Sequence, residues 1–158
     1  MAVLSAGILL YRQSDAAQLD VFIAHMGGPF WAHKDARAWT IPKGEYLEGE
    51  DPFVAAQREF TEEIGSAPPP ADYIRLGTFK QPSGKLITVF AAGADFQPGL
   101  IVSNTFLLEW PKGSGTVRSY PEIDQAGWTP EPEARGKLVR GQLPILEALL
   151  QHLGDREA

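Results

Sequence analysis

Apolar and polar positions along the chain change period several times, and each change marks an element. Val3 to Tyr11 (VLSAGILLY) and Leu19 to Met26 (LDVFIAHM) are apolar runs rich in β-branched residues, separated by a polar gap with Ser14 and Asp15. They predict two neighbouring strands. The loop from Gly27 to Arg37 (GGPFWAHKDAR) mixes aromatic and basic residues and is longer than a hairpin turn, which suits a ligand border. Ala38 to Pro42 returns to extended character, and Gly44 to Glu50 (GEYLEGE) reads as a loop with two glycines.

Beyond that loop the spacing becomes helical. Phe53, Ala56, Phe60 and Ile64 form one apolar face and predict a helix over Pro52 to Ile64. Asp51 suits the N-cap and Pro52 the first helical position, where a missing N–H costs nothing. Gly65 suits a left-handed C-cap, and Ala67 to Pro70 stops any continuation. Tyr73 to Phe79, Leu86 to Ala92 and Val102 to Trp110 predict three more strands, and Gly127 with Trp128 another short extended piece. Gln142 to Leu153 predicts a final amphipathic helix, with Ile145, Leu149 and His152 near one side and Leu146, Leu150 and Leu153 beside it.

Composition narrows the chemistry. With 158 residues and no internal repeat or linker, one domain with a real core is expected. Thirteen prolines and sixteen glycines alongside a normal apolar share predict many turns rather than disorder. The absence of cysteine excludes disulfides, thiolate metal sites and a cysteine nucleophile, so any metal must sit on oxygen or imidazole. A formal charge of −6 argues against nucleic-acid binding driven by phosphate neutralisation. The run from Val3 to Leu10 is too short to span a bilayer and lacks a charged leader, so no membrane association and a cytoplasmic location are expected. Nothing in the sequence speaks to oligomeric state.

The predicted helix carries the chemistry. Glu59, Glu62 and Glu63 fall at i, i+3 and i+4 on one arc, where like charges repel. Glu62 and Glu63 also occupy the last turn, where the helix dipole disfavours anions by on the order of 0.3–1 kcal/mol each. Arg58 offsets one carboxylate, not three. A hard divalent cation held through oxygen would offset the rest, magnesium above all, with manganese as a substitute. A solvated acidic helix face is the ordinary alternative.

The wider pattern decides between them. Gly44, five residues, Glu50, seven residues, then Arg58-Glu59-Phe60-Thr61-Glu62-Glu63-Ile64-Gly65 resembles the Nudix box G-x5-E-x7-R-E-U-x-E-E-x-G-U, where U is apolar. Every fixed letter is present, a coincidence expected roughly once in 10⁸ to 10⁹ windows at average usage. Ser66 departs from the last apolar position, which weakens a packing contact and leaves the carboxylates intact. The resemblance implies a Nudix-type α/β/α sandwich with a mixed central sheet. It implies Glu59, Glu62 and Glu63 as metal ligands, with Arg58 and Glu50 orienting them. Gly44 belongs to the same implied metal site.

Two further features are similar to family members. Trp39 followed by Pro42-Lys43-Gly44 resembles the W-x-x-P-K-G segment of the subgroup acting on dinucleoside polyphosphates and diphosphoinositol phosphates, which implies a phosphate partner for Lys43. Glu122, six residues before Trp128, resembles an acidic residue that joins the metal site or serves as base; a surface glutamate is the plain alternative. Either Glu59 or Glu122 is then the proton acceptor for water attack on phosphorus. Lys34, Lys80, Lys85 and Arg118 are candidates for gripping the phosphates, and Phe30, Trp31 and Tyr46 for stacking on a base. Three activities fit: a dinucleoside polyphosphate hydrolase first, a nucleoside triphosphate pyrophosphohydrolase second, and a non-catalytic ligand-binding module third.

Overall fold

The computed structural model of the chain describes residues 3–14 and 18–157; Asp15, in the expected polar gap, lies outside them. The two first apolar runs form strands β1 (Leu4–Gln13) and β2 (Leu19–Met26), antiparallel with Tyr11 opposite Val21. They stay paired only near their connection. Further along they splay, and the segment carrying β3 (Trp39–Thr40) and β4 (Lys43–Tyr46) wedges between them: β3 pairs with Ala24 and His25, β4 with Leu4 to Gly7. On the other edge of β1 runs β6 (Leu86–Gly93), parallel from Leu4 opposite Leu86 to Tyr11 opposite Gly93. β5 (Ile74–Lys80) closes that side antiparallel to β6, and β9 (Ile123–Pro130) pairs with the free edge of β2. The result is a seven-stranded mixed sheet.

Both faces of this sheet are covered, which explains why β1 is buried without interruption from Ser5 to Tyr11. Such strands read as continuous apolar runs because neither face meets water. On one face Leu9, Val21, Ile23 and Val89 pack with Ala134 of α2 (Glu131–Lys137) and with Ile145, Leu146 and Leu149 of α3 (Leu143–Glu157). On the other, Ala6, Ile8, Leu10 and Phe22 meet Ala55, Ala56, Phe60 and Ile64 of α1 (Pro52–Ile64). The expected α/β/α sandwich is therefore present. Among the described residues no helix is long and apolar enough to cross a membrane.

Helix α1 has the limits its sequence predicts. The Asp51 side chain accepts from the Phe53 N–H at 3.2 Å, Pro52 opens the helix, and Gly65 ends it at φ 89° while donating to Thr61 O. Phe53 is only half-buried, and Ala55 takes its place on the buried face.

Four expectations change. Gly44 to Glu50 was expected to be a loop, yet 43–46 form β4, because β1 offers this segment an unpaired edge. The strand expected over Val102 to Trp110 shortens to β7 (Thr105–Glu109), paired with β8 (Val117–Pro121) in a separate ribbon. Val102 and Asn104 instead donate to Ile64 O and Glu62 O at the end of α1. Gly127 and Trp128 lie inside the eight residues of β9, most of them polar or half-exposed, so local pattern reveals little of the strand. Helix α2 was not foreseen, being seven residues long with Pro132 and Gly136 inside it.

Gly65 tests how firmly the end of α1 is held. A Cβ there would lie 2.7 Å from Val102 O and 2.9 Å from Val102 N, both backbone atoms, in addition to the left-handed φ. Gly49, at φ 93°, has nothing within 4 Å of its would-be Cβ. Gly65→Ala is therefore expected to lower unfolding free energy by more than the roughly 1–2 kcal/mol that a left-handed backbone costs alone. Gly49→Ala should cost only that amount, and equal losses in denaturant titrations would show that Val102 yields freely.

Candidate active site

The wedge between β1 and β2 brings the candidate residues together. Gly7 makes it possible, since a Cβ there would lie 2.9 Å from both Lys43 Cβ and Pro42 O. The backbone N–H of Ile8 donates to Pro42 O at 3.1 Å. From the opposite side, buried Gln142 accepts from the Ile41 N–H at 2.9 Å and donates to Thr40 Oγ1 at 2.7 Å. The path of residues 40–43 is thus bonded on both sides, and Lys43 and Gly44 reach α1 in one orientation.

Where they meet α1, the Lys43 backbone N–H donates to Glu63 Oε1 at 2.9 Å. Glu63 is 8% exposed, on the buried side of the helix, and among the described residues no side-chain cation forms an ion pair with it. Burial pushes its carboxyl up to about 7; the Lys43 N–H and charge pull it down, while Glu122 and Glu59 push it further up. Glu59, one turn earlier, is also raised, first by burial and then by the charge of Glu62, against the pull of Arg58.

Arg58 and Glu50 form a close ion pair, and the same guanidinium donates to Glu59 Oε1 at 3.3 Å and to Glu45 O at 3.4 Å. It therefore joins helix, loop and β4. Gly44 completes the cradle: a Cβ there would lie 2.0 Å from Glu59 Oε2 and 2.2 Å from its carboxyl carbon, so only glycine lets the Glu59 carboxylate lie against the β4 backbone. Glu122 stands where β8 meets β9. Its N–H donates to Asn104 O at 2.9 Å and its carbonyl accepts from Gly27 at 2.8 Å, while its side chain is exposed.

Donor chemistry fits a divalent cation. All the candidate ligands are hard oxygens, Glu59 and Glu63 both have raised proton affinity through burial and neighbouring carboxylates, and Glu63 has no ion-pair partner among the described residues. Among the described residues, no three acidic or imidazole side chains already converge as a metal cage. Glu62 is half-exposed and Glu122 exposed, so neither side chain is enclosed by packing.

Beside these carboxylates opens a cleft of about 540 Å³. Lys43, Lys85, Arg37 and Arg140 line it, together with Thr40 and Gln142. Two of these, Lys43 and Lys85, are sequence candidates. Lys80, exposed at the end of β5, does not line it. Trp31 is half-buried against the core, edge-on to Phe30 at 4.8 Å, and also stays off the cleft. Lys34 sits over the Phe30 ring at 3.5 Å, and Arg118 is exposed on β8. Tyr46 faces a separate hollow with Glu45, Glu48 and Arg58.

Sequence reasoning missed Arg140 and Gln142, because each meets the 40–43 segment only through the fold, and it took in Arg37 only as the end of the loop expected to border a ligand. It also missed His25. This buried ring donates from Nε2 to Lys34 O at 2.6 Å, and its Nδ1 lies 2.8 Å from Asp124 Oδ1, pinning the Gly27 to Arg37 loop to β9. Its one signal is a polar residue inside an apolar strand.

Comparison with known proteins agrees with this architecture. The chain is similar to a C. elegans Ap4A hydrolase solved as a binary complex, at 17% identity and TM-score 0.65, over 96% of this chain and 98% of that one. It is similar to the NUDIX domain of Shewanella oneidensis NrtR complexed with ADP ribose, at 16% identity and TM-score 0.63, over 97% and 89%. The E. coli ORF135 protein aligns at 18% identity and TM-score 0.61, over 99% and 94%. No curated protein matches the chain. A family model described as NUDIX domain matches residues 1–149, which takes in the whole sheet, α1 and every candidate ligand, so the chain belongs to the NUDIX domain family.

Proposed function

We propose that this Nudix pyrophosphohydrolase acts, as one cytoplasmic domain, on a nucleoside diphosphate linked to a further group, with a dinucleoside polyphosphate as substrate. The observation that carries the reading is the double use of Lys43. Its backbone N–H holds Glu63 and the same residue lines the basic cleft, which supports a junction between the carboxylates and a place for phosphate. The similarity to the Ap4A hydrolase, at 17% identity, carries the fold alone. The substrate reading rests on the Trp39 and Pro42-Lys43-Gly44 segment and on the cleft.

Members of this family generally use divalent metal ions. Here Glu59, Glu62, Glu63, Glu122 and Gly44 would hold magnesium, with manganese able to replace it, and the ion supplies Lewis-acid neutralisation of nonbridging phosphate oxygens. Arg58, paired with Glu50, keeps the Glu59 carboxylate turned toward Gly44. Lys43 and Lys85 hold the phosphate chain by charge. Water attacks phosphorus in line, its oxygen forms the new P–O bond, and the bridging P–O bond breaks with its electron pair on the departing phosphate. We assign the proton from water to Glu122, whose side chain is exposed and bonded to nothing among the described residues, whereas Glu59 is tied to Arg58.

Product analysis on a panel of dinucleoside polyphosphates and nucleoside triphosphates with magnesium tests the substrate class. Release of a nucleoside triphosphate from a dinucleoside tetraphosphate is expected. Diphosphate released from triphosphates alone would assign the protein to nucleotide-pool clearing instead.

Glu62→Gln is expected to lower kcat/KM by at least about 10²-fold, the scale of a lost electrostatic catalytic group. Equal, negligible turnover by both proteins on every substrate would make the chain a binding module.

Glu63 sets a pH signature. Its folded-state value near 7 lies above the ordinary 4.5, so folding takes up a proton between those values and the group weakens the fold as pH rises through that window. Without divalent ions, Glu63→Gln is expected to stabilise the protein at pH 8 and change little at pH 5, as read from denaturant midpoints. The same shift at both pH values would mean that the Glu63 charge carries no such penalty.

A further inference from the structure

We propose that Lys85 and Arg140 form a distal anion subsite that takes phosphates beyond the pair being cleaved and so selects long phosphate chains over short ones. This rests on the hydrolase reading above and concerns the same cleft. The chain has 20 acidic and 14 basic side chains, so scattered charge would place more acids than bases in any such lining; this one has four bases and no acid. Among the described residues, none of the four pairs with a carboxylate. Arg37 is already spent on backbone, donating to Arg135 O at 2.7 Å and Leu138 O at 3.2 Å. Lys43 stands next to the glutamates. Lys85 and Arg140 remain, with no task inside the protein.

Their positions are built. Lys85 closes the turn between β5 and β6, where the Gln81 N–H donates to Lys85 O at 2.8 Å. The Gln81 side chain then donates to Gly141 O at 3.1 Å, and a Cβ on Gly141 would lie 2.7 Å from Pro82 Cδ, so the turn packs directly against the chain beside Arg140. Two residues on, Gln142 bonds the 40–41 backbone that leads to Lys43. Two glutamines thus tie together three separate segments, each carrying one cation into the cleft. A cleft lined by four bases and no acid favours an anion, and a run of three or more phosphates is a ligand that could meet several of these bases at once. A guanidinium adds paired donors that match phosphate oxygens.

The test compares wild type, Lys85→Ala, Arg140→Ala and the double variant, with exposed Lys112→Ala as a control for general charge. KM and kcat are measured on dinucleoside penta- and tetraphosphates and on a nucleoside diphosphate sugar. Binding of inorganic tripolyphosphate is measured separately by calorimetry. In the double variant the rise in KM for the pentaphosphate is expected to exceed that for the diphosphate sugar by about 10-fold or more, with kcat far less affected, the pattern of lost uniform binding. Tripolyphosphate binding should weaken by a similar factor, and the control should show neither change. Equal KM rises for long and short chains, or tripolyphosphate binding unchanged in the double variant, would overturn the subsite. Wild type that turns over nothing would fail the hydrolase reading, while calorimetry still decides the subsite.

Discussion

The candidate site is organised around a carboxyl buried without an ion-pair partner among the described residues. Glu63 lies on the inner side of α1, bonded among those residues only to the Lys43 N–H and pulled on by the Lys43 charge, with Glu59 and Glu122 adding repulsion. One backbone donor does not offset the desolvation of a carboxylate, which is why its proton affinity rises so far. The other candidate glutamates lie near it, Glu59 and Glu62 on the same helix and Glu122 on the connection between β8 and β9.

Holding that arrangement open requires the wedge. β1 and β2 could have run as a plain hairpin; their splaying admits residues 39–46, and glycines at 7 and 44 let backbone approach where a side chain would collide. Gln142 then fixes the inserted segment from the α3 side. Glu63 is thereby referred to the sheet through the Lys43 backbone and Glu59 through Arg58, while Glu62 is half-exposed and Glu122 exposed. A site built in this way keeps part of its geometry preset and leaves the remainder to close on a ligand.

Charge is sorted across a short distance. The glutamates and the basic cleft share Lys43, whose backbone bonds Glu63 and which also lines the cleft. In an acidic chain this sorting cannot come from composition. It comes from bringing Lys85 and Arg140, far away in sequence, to the cleft that Arg37 and Lys43 also line.

The sequence by itself determined what depends on neighbours along the chain. Asp51, Pro52 and Gly65 marked both limits of α1, the apolar runs marked β1, β2, β5 and β6, and the full pattern from Gly44 and Glu50 through Arg58 to Gly65 announced the family, because helical period, capping and a contiguous motif are all written along the chain. Strand β4 was hidden, since its pairing energy comes from an edge of β1 that local pattern does not reveal. So were α2 and β8, short elements with little apolar period of their own. Tertiary structure alone decided which of the glutamates is buried, that Arg37 and Arg140 join Lys43 and Lys85, and that Lys80 and Trp31 do not. Burial and long-range charge depend on which segments pack together, and that is a property of the folded chain.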